Sequence, residues 1–200
     1  MSKDHFQEVA ERYDHDPKRV GNVDTIANAI LATVSFRPTM RIMDFGAGTG
    51  LLLARIAPHV DHITAVDVSP SMIEQLEMKR ATIACKLEVM QLDLTTACID
   101  GPFDGIISSM TLHHIENVHA LLVTFRGLLA DGGFIALADL EPEDGSFHSE
   151  NTGVFHLGFD QEKMALLARK VGFREVTVQS ASVVHKEQGE YPVFLLTAVK

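Results

Sequence analysis

Three glycines follow an acidic residue in the short segment Asp44-Phe45-Gly46-Ala47-Gly48-Thr49-Gly50. Glycine permits positive φ angles and lets a ligand approach the backbone closely. An apolar stretch precedes the segment and a helical pattern follows it, so its free N–H groups would face a ligand at the carboxyl end of a strand. A carboxylate at Asp44 would repel a pyrophosphate and attract a ligand that carries an ammonium or sulfonium cation.

The spacing of these glycines departs from the pattern of dinucleotide-binding proteins. That pattern has a glycine or alanine three residues after its second glycine. Leu51 holds this place after Gly48, and the third glycine, Gly50, comes one residue early. The glycine spacing therefore disfavours a nicotinamide-dependent oxidoreductase.

Two further acids lie where the next predicted strands end. Asp67 follows the glycine turn at about the 20-residue distance of an acid that accepts hydrogen bonds from ribose hydroxyls. Asp93 could accept from an adenine amino group, while the N–H of Leu94 donates to a ring nitrogen and Met72 packs on the base. Together with Asp44, these groups are complementary to an amino-acid moiety, a ribose and an adenine. That combination describes S-adenosylmethionine.

Five segments resemble the class I S-adenosylmethionine-dependent methyltransferases that act on small molecules: MDFGAGTG (43–50), AVDVSPSM (65–72), VMQLDL (89–94), FDGIISSMTLHHI (103–115) and LLADGGFIALAD (128–139). The resemblance covers roughly residues 5–140. It implies that the first segment holds the methionine portion, Asp67 the ribose and Asp93 the adenine. The segment TLHHI (111–115) is similar to the methyltransferases of ubiquinone and menaquinone biosynthesis.

The resemblance also assigns a role to the N-terminal segment, because many small-molecule members fold a similar segment, with a tyrosine at the place of Tyr13, over the cofactor. The predicted cofactor-binding residues are Tyr13, Asp44, Gly46, Ala47, Gly48, Thr49, Gly50, Asp67, Val68, Met72, Asp93, Leu94 and Ser109.

Four histidines are the candidates for the acceptor side of the reaction. His113 and His114 follow the fourth predicted strand, next to where the methyl group would lie, and one of them could act as a general base. His148 and His156 belong to a long polar loop, residues 141–159, and could line the acceptor pocket. Their spacing matches no closed ligand pattern, so no metal site is predicted.

Alternating strand and helix patterns predict an α/β fold with a Rossmann-like, doubly wound sheet of seven strands, mainly parallel with an antiparallel hairpin at the C-terminal edge. We expect one domain, 1–200, with an N-terminal helical cap over 1–35. The predicted strands are 40–45, 62–68, 87–93, 103–110 and 134–140 with two more after 173, and the predicted helices include 49–57, 118–130 and 160–173.

The amino-acid composition of the chain limits the kinds of partner that we expect it to bind. The formal net charge of −10 disfavours nucleic acid, and the chain contains no apolar run long enough to span a membrane. Its polar start is unlike a secretory signal, and two cysteines without CxxC spacing fit a reducing cytoplasm. We expect a cytoplasmic enzyme with a small-molecule acceptor and leave a homodimer open. A protein that binds the cofactor without catalysis is the third alternative.

Overall fold

The computed structural model describes residues 4–148 and 153–200. Seven strands form one sheet in the order β3-β2-β1-β4-β5-β7-β6. The strands β1 to β5 are parallel, and β7 is antiparallel to both of its neighbours. Their bounds are β1 Arg41–Phe45, β2 His62–Asp67, β3 Lys86–Gln91, β4 Phe103–Ser109, β5 Leu129–Leu140, β6 Arg174–Lys186 and β7 Gly189–Val199. The predicted fold class is confirmed.

Side-chain caps precede most of the helices in residues 4–148 and 153–200. They are α1 Pro17–Thr33, α2 Leu51–Ile56, α3 Pro70–Lys79, α4 Val118–Leu128 and α5 Gln161–Val171, with a 3-10 helix at Ala10–His15 before α1. The side chains of Asp16, Ser69, Asn117 and Asp160 accept hydrogen bonds from backbone N–H groups in the first turns of α1, α3, α4 and α5.

Apolar side chains cover both faces of the sheet. On one face, Ile26 of α1, Leu53 of α2 and Leu76 of α3 belong to a single buried cluster. On the other face, Phe125 of α4 and Met164 of α5 belong to a second cluster. Helices on both faces leave the carboxyl ends of the parallel strands as the open edge of the sheet, where ligands of such folds bind.

The strand β5 differs from the prediction at its start. The helix α4 ends at Leu128, two residues earlier than predicted, and β5 begins at Leu129. Leu129 pairs with Phe103, and the regular register with β4 resumes only where Gly105 pairs with Phe134. Burial of Leu129, which is 1% exposed, favours this early pairing, so the Asp-Gly-Gly segment 131–133 lies inside the strand as an irregularity.

Candidate active site

The glycine turn between β1 and α2 has the conformation that its sequence requires. Gly46, Gly48 and Gly50 all have positive φ angles, of 69°, 54° and 85°. A Cβ atom at Gly46 would lie 2.2 Å from Cγ2 of Thr111, so the turn packs directly against the chain that leaves β4. A Cβ atom at Gly48 would meet no described atom within 4 Å. The space beside Gly48 is therefore open, and a ligand can approach the backbone there.

Asp67 ties the end of β2 to this turn. Its Oδ2 accepts a hydrogen bond from the N–H of Gly48 at 2.7 Å, and its Oδ1 accepts one from the N–H of Ser69 at 2.8 Å. The carbonyl of Val66 accepts from the N–H groups of Gly46 and Ala47. Burial raises the pKa of Asp67, and the three backbone N–H groups that face its carboxylate oppose that effect.

Two buried polar atoms at the ends of β1 and β4 have no hydrogen-bond partner among residues 4–148 and 153–200. They are Oδ2 of Asp44 and Oγ of Ser109. Asp44 is 1% exposed, and burial, reinforced by the charge of Asp67, raises its pKa to about 8. A buried polar group without a partner costs about 1–3 kcal/mol, so both atoms fit a ligand that would supply a cation or a hydrogen bond. The site therefore suits the sulfonium and ammonium groups of S-adenosylmethionine.

The predicted adenine-binding residues divide into exposed and buried ones. Asp93 lies two residues beyond the end of β3, is exposed, and accepts at Oδ1 from the N–H and hydroxyl of Thr95. Val68 is 57% exposed, whereas Leu94 and Met72 are only 4% and 2% exposed. The Met72 side chain is thus packed within the protein, and the exposed Val68 is the more accessible apolar surface for a base.

The start of the described chain is anchored on α3 by an acid that the sequence prediction missed. Asp4 accepts hydrogen bonds from the hydroxyls of Ser69 and Ser71, at 2.9 and 2.7 Å, and from the N–H of Ser71. Ser69 also caps α3 and lies two residues after Asp67 in the chain. Nothing in the sequence near Asp4 matches a motif, so only the tertiary structure reveals this contact.

A second missed acid, Asp14, anchors the other end of the same segment. It accepts from the hydroxyl of Thr49 in the glycine turn at 2.5 Å and forms an ion pair with Lys79. The neighbouring Tyr13 lies under the guanidinium of Arg19, which is 3.9 Å from the ring centre. Burial raises the pKa of the Tyr13 hydroxyl, and the nearby charge of Asp67 is among the weaker causes. Residues 4–15, which we call the N-terminal strap, thus extend from α3 to the glycine turn.

Three histidine rings cluster beyond the end of β4. The ring centres of His113 and His114 are 4.3 Å apart, and that of His148 lies 5.0 Å from His113 and 6.0 Å from His114. His113 is 2% exposed, and its Nδ1 lies 2.7 Å from Oδ1 of Asp139, which is fully buried at the end of β5. Asp139 was not among the predicted site residues, although its place at a strand end in the same sheet could have indicated it.

The environments of these histidines differ. Burial, followed by the charge of His113, lowers the pKa values of His114 and His148 to about 4. The Nδ1 of His114 lies 3.2 Å from the carbonyl oxygen of Gly153. The His156 ring instead contacts the ring of Phe159, and its Nε2 lies 2.9 Å from the carbonyl oxygen of Ile115, while its backbone N–H donates to the carbonyl of His113.

Two negative findings concern the described residues alone. Within 4–148 and 153–200, no group of three or more histidine, cysteine, aspartate or glutamate side chains is arranged to hold a metal ion. No helix in the same ranges is long and apolar enough to cross a membrane. Of the loop predicted at 141–159, residues 149–152 lie outside the described residues.

Comparison with known proteins supplies the family. A family model described as a methyltransferase domain matches residues 17–180. An uncharacterized methyltransferase of Mycobacterium tuberculosis is 30% identical over 117 residues, and the match covers 58% of each chain. An O-methyltransferase of Aspergillus nomiae is 29% identical over 154 residues, covering 72% of this chain and 68% of that protein. The chain thus spans less than two thirds of the mycobacterial relative.

Solved structures show the same fold. A chain from the complex between the Haloferax volcanii Trm112 methyltransferase activator and a methyltransferase has a TM-score of 0.80 at 16% identity, covering 100% of this chain and 99% of that one. Phosphoethanolamine N-methyltransferase 2 of Haemonchus contortus, solved with S-adenosyl-L-methionine, has a TM-score of 0.70 at 16% identity, covering 98% of this chain and 60% of that one. The solved structures thus share the fold of this chain, and with the family match the chain belongs to the class I S-adenosylmethionine-dependent methyltransferases.

Proposed function

We propose that this protein transfers the methyl group of S-adenosylmethionine to a small-molecule acceptor that binds beside His113. The observation that carries the proposal is the buried Oδ2 of Asp44 behind the glycine turn, which has no hydrogen-bond partner in the described part of the chain, with the histidine cluster beyond the neighbouring strand. The first feature suits a cationic methyl donor. The second offers polar side chains on the side where an acceptor would approach.

Each residue of the cofactor site would have a separate task. Asp44 would face the cationic end of the donor, Asp67 the ribose hydroxyls and Asp93 the adenine. The open backbone at Gly48 and the ring of Tyr13 would complete the enclosure. When bound, the donor supplies a methyl group activated by a sulfonium sulfur. The protein then has to align the acceptor with that methyl group, and such positioning can contribute about 7–11 kcal/mol.

The size of the acceptor follows from what encloses the histidine cluster. The ring of Phe6, from the strap, contacts His114 edge-on at 5.8 Å, and the ring of Phe147, from the loop after β5, contacts His148 at 4.8 Å. An acceptor site covered by two segments of the same chain would favour a small and partly apolar molecule over a macromolecule. The net charge of −10 also disfavours a nucleic-acid acceptor.

Three finer expectations stay predictions. They are the resemblance of residues 111–115 to the quinone methyltransferases, a cytoplasmic location and a homodimer. The Haloferax structure contains a Trm112 activator, so a protein partner is a further possibility to test by copurification.

The proposal is tested by incubating the protein with S-adenosylmethionine that carries a labelled methyl group and a metabolite extract. We expect label in one small-molecule product and formation of S-adenosylhomocysteine. Binding of S-adenosylhomocysteine without any labelled product would instead indicate a protein that binds the cofactor but does not catalyse transfer.

A further inference from the structure

We infer that Lys186 is a specificity-determining residue of the acceptor site, where its ammonium binds an anionic oxygen group, a carboxylate or a phosphate, of the small-molecule acceptor. The inference rests on the proposed function and deepens it, because it names the chemical class of the acceptor. The anionic group is the part of the acceptor that is held, and the methyl group goes to another atom.

Lys186 directs its charged end towards a buried residue. Lys186 as a whole is exposed at the end of β6, yet its Nζ donates to the carbonyl of Phe147, which is only 9% exposed. The ammonium also lies over the ring of Phe147, 3.7 Å from its centre. Lysine side chains more often bury the aliphatic stem and leave the ammonium in water. The loss of hydration in this reversed arrangement lowers the pKa of Lys186.

A short series of ring contacts connects this ammonium with the histidine cluster. The ring centre of Phe147 lies 4.8 Å from that of His148, and the ring centre of His148 lies 5.0 Å from that of His113. Phe147 thus contacts both the ammonium and the cluster. Two rings lie between Lys186 and His113 in this series, so the group that Lys186 binds is a different part of the acceptor from the atom beside His113.

The ammonium of Lys186 has no carboxylate within ion-pair distance in the part of the chain that the structure describes. A lysine ammonium has three N–H groups, and the carbonyl of Phe147 accepts from one of them. The nearby Arg19, in contrast, lies 4.0 Å from Asp16, and its charge lowers the pKa of Lys186 further. Two N–H groups of Lys186 are therefore left for an anionic ligand.

The charges around His148 favour an anion at this place. Burial lowers the pKa of His148 to about 4, and the charges of the two other histidines and of Lys186 act in the same direction. The carboxylate of Glu143 opposes them, with the weakest effect of these charges. A positive potential that disfavours a proton on His148 would stabilise a negative group of the acceptor beside it.

The carboxylate of Glu143 is engaged by the backbone of its own loop. Its Oε2 accepts from the N–H groups of Gly145 and Phe147, at 2.8 and 3.0 Å, so it holds the turn whose Phe147 carbonyl contacts Lys186. Its Oε1 is buried and has no hydrogen-bond partner among residues 4–148 and 153–200. A hydroxyl or amino hydrogen next to the anionic group of the acceptor would satisfy this oxygen as well.

The class of the acceptor is tested with S-adenosylmethionine that carries a carbon-14 methyl group, incubated with the protein and a metabolite extract. Electrophoresis of the labelled product at pH 7 and at pH 2 measures its acidic groups, because a carboxylate loses its negative charge over this range and a phosphate loses part of it. We expect a product that loses negative charge. A product whose charge stays constant overturns the inference but leaves the proposed function standing, whereas absence of any labelled product contradicts the proposed function itself.

The role of Lys186 is tested by the rate of the same transfer at increasing concentrations of the extract. Lys186→Met removes the charge and keeps an unbranched side chain, so transfer at low extract concentration should be at least about tenfold slower, with no difference near saturation. Lys186→Arg keeps the charge and should lie closer to the wild type. Lys170→Met, at an exposed lysine of α5, is the matched control and should equal the wild type.

Two further measurements separate recognition of the acceptor from support of the loop around Phe147. All three variants should keep the melting temperature of the wild type and its dissociation constant for S-adenosylhomocysteine. Equal transfer by Lys186→Met and the wild type overturns the inference. A loss of rate that persists at saturation, or a fall in melting temperature that Lys186→Arg shares, would show that Lys186 only supports the loop, and this also overturns it.

Discussion

Oδ2 of Asp67 accepts a hydrogen bond from the backbone N–H of Gly48 at 2.7 Å, so the carboxylate at the end of β2 fixes the glycine turn at the end of β1. One side chain thereby connects the two neighbouring strands whose ends would hold the ribose and the methionine portion of the cofactor. Its second oxygen accepts from the N–H of Ser69, which caps α3. The conformation of the turn and the recognition of the ribose are therefore expected to depend on the same residue.

Replacement of Asp67 by alanine should weaken binding of S-adenosylhomocysteine at least about tenfold. The change removes a charged acceptor, and hydrogen bonds to charged groups contribute about 1.5–3 kcal/mol each. Isothermal titration calorimetry measures the dissociation constant, with Asp61→Asn as the surface control. A dissociation constant equal to that of the wild type would remove Asp67 from the cofactor site.

The carboxyl group of Asp44 should make the ligand-free protein less stable as the pH rises. Its pKa is raised from 3.8 to about 8 in the folded state. Between these values the folded protein holds a proton that the unfolded chain has released, so the free energy of unfolding decreases with increasing pH. Asp44→Asn should therefore gain stability relative to the wild type between pH 4 and pH 8, by about 1–3 kcal/mol at the upper end.

Urea unfolding of both proteins at several pH values measures this difference. Because the asparagine does not titrate, the difference in the free energy of unfolding between Asp44→Asn and the wild type should be smallest at the acidic end of the range. An advantage of Asp44→Asn that does not change with pH would show that Asp44 is not the titrating group. The same variant should also bind S-adenosylmethionine more weakly, since it cannot offer a negative charge to the sulfonium.

Two glycine-to-alanine changes should have opposite effects on stability. Gly46→Ala would place a methyl group 2.2 Å from Thr111 at a φ of 69°, and we expect a loss of about 1–3 kcal/mol. Gly21 lies within α1, where an added methyl group meets no described atom within 4 Å, so Gly21→Ala should gain about 0.5–1 kcal/mol. Thermal and urea unfolding compare the two variants, and equal effects would contradict the close packing of the turn against Thr111.

The N-terminal strap should loosen when Asp14 is changed to asparagine. The change removes the negative charge that pairs with Lys79 and weakens the contact with the Thr49 hydroxyl. Hydrogen–deuterium exchange should become faster in residues 4–15 and stay the same in the central strands. Asp160→Asn, at the cap of α5, serves as a control whose effect should be confined to α5. Unchanged exchange in the strap would show that Asp14 does not anchor it.

Local sequence patterns predicted the parts of this protein that depend on local rules. The glycine turn and the order of strands and helices follow from residue types at fixed spacings, and the structure has them as expected. Asp4 and Asp14 were missed, because their partners lie far away in the chain. Asp139 was missed although it lies at the end of a strand of the same sheet.

The start of β5 was misplaced for a related reason. The pairing of Leu129 with Phe103 depends on the neighbouring strand, and the Asp-Gly-Gly segment 131–133 by itself indicated the end of a helix. Among the predicted adenine contacts, Met72 is 2% exposed and Val68 is 57% exposed, a difference in burial that only the tertiary packing decides.

The most direct test of the whole account is calorimetric titration of the purified protein with S-adenosylhomocysteine, with NAD as the parallel ligand. We expect saturable binding of S-adenosylhomocysteine at one site per chain, lost or at least about tenfold weaker in Asp67→Ala, and no binding of NAD. Heat from NAD alone, or from neither ligand, would contradict the assignment of the glycine turn and its acids to an S-adenosylmethionine site.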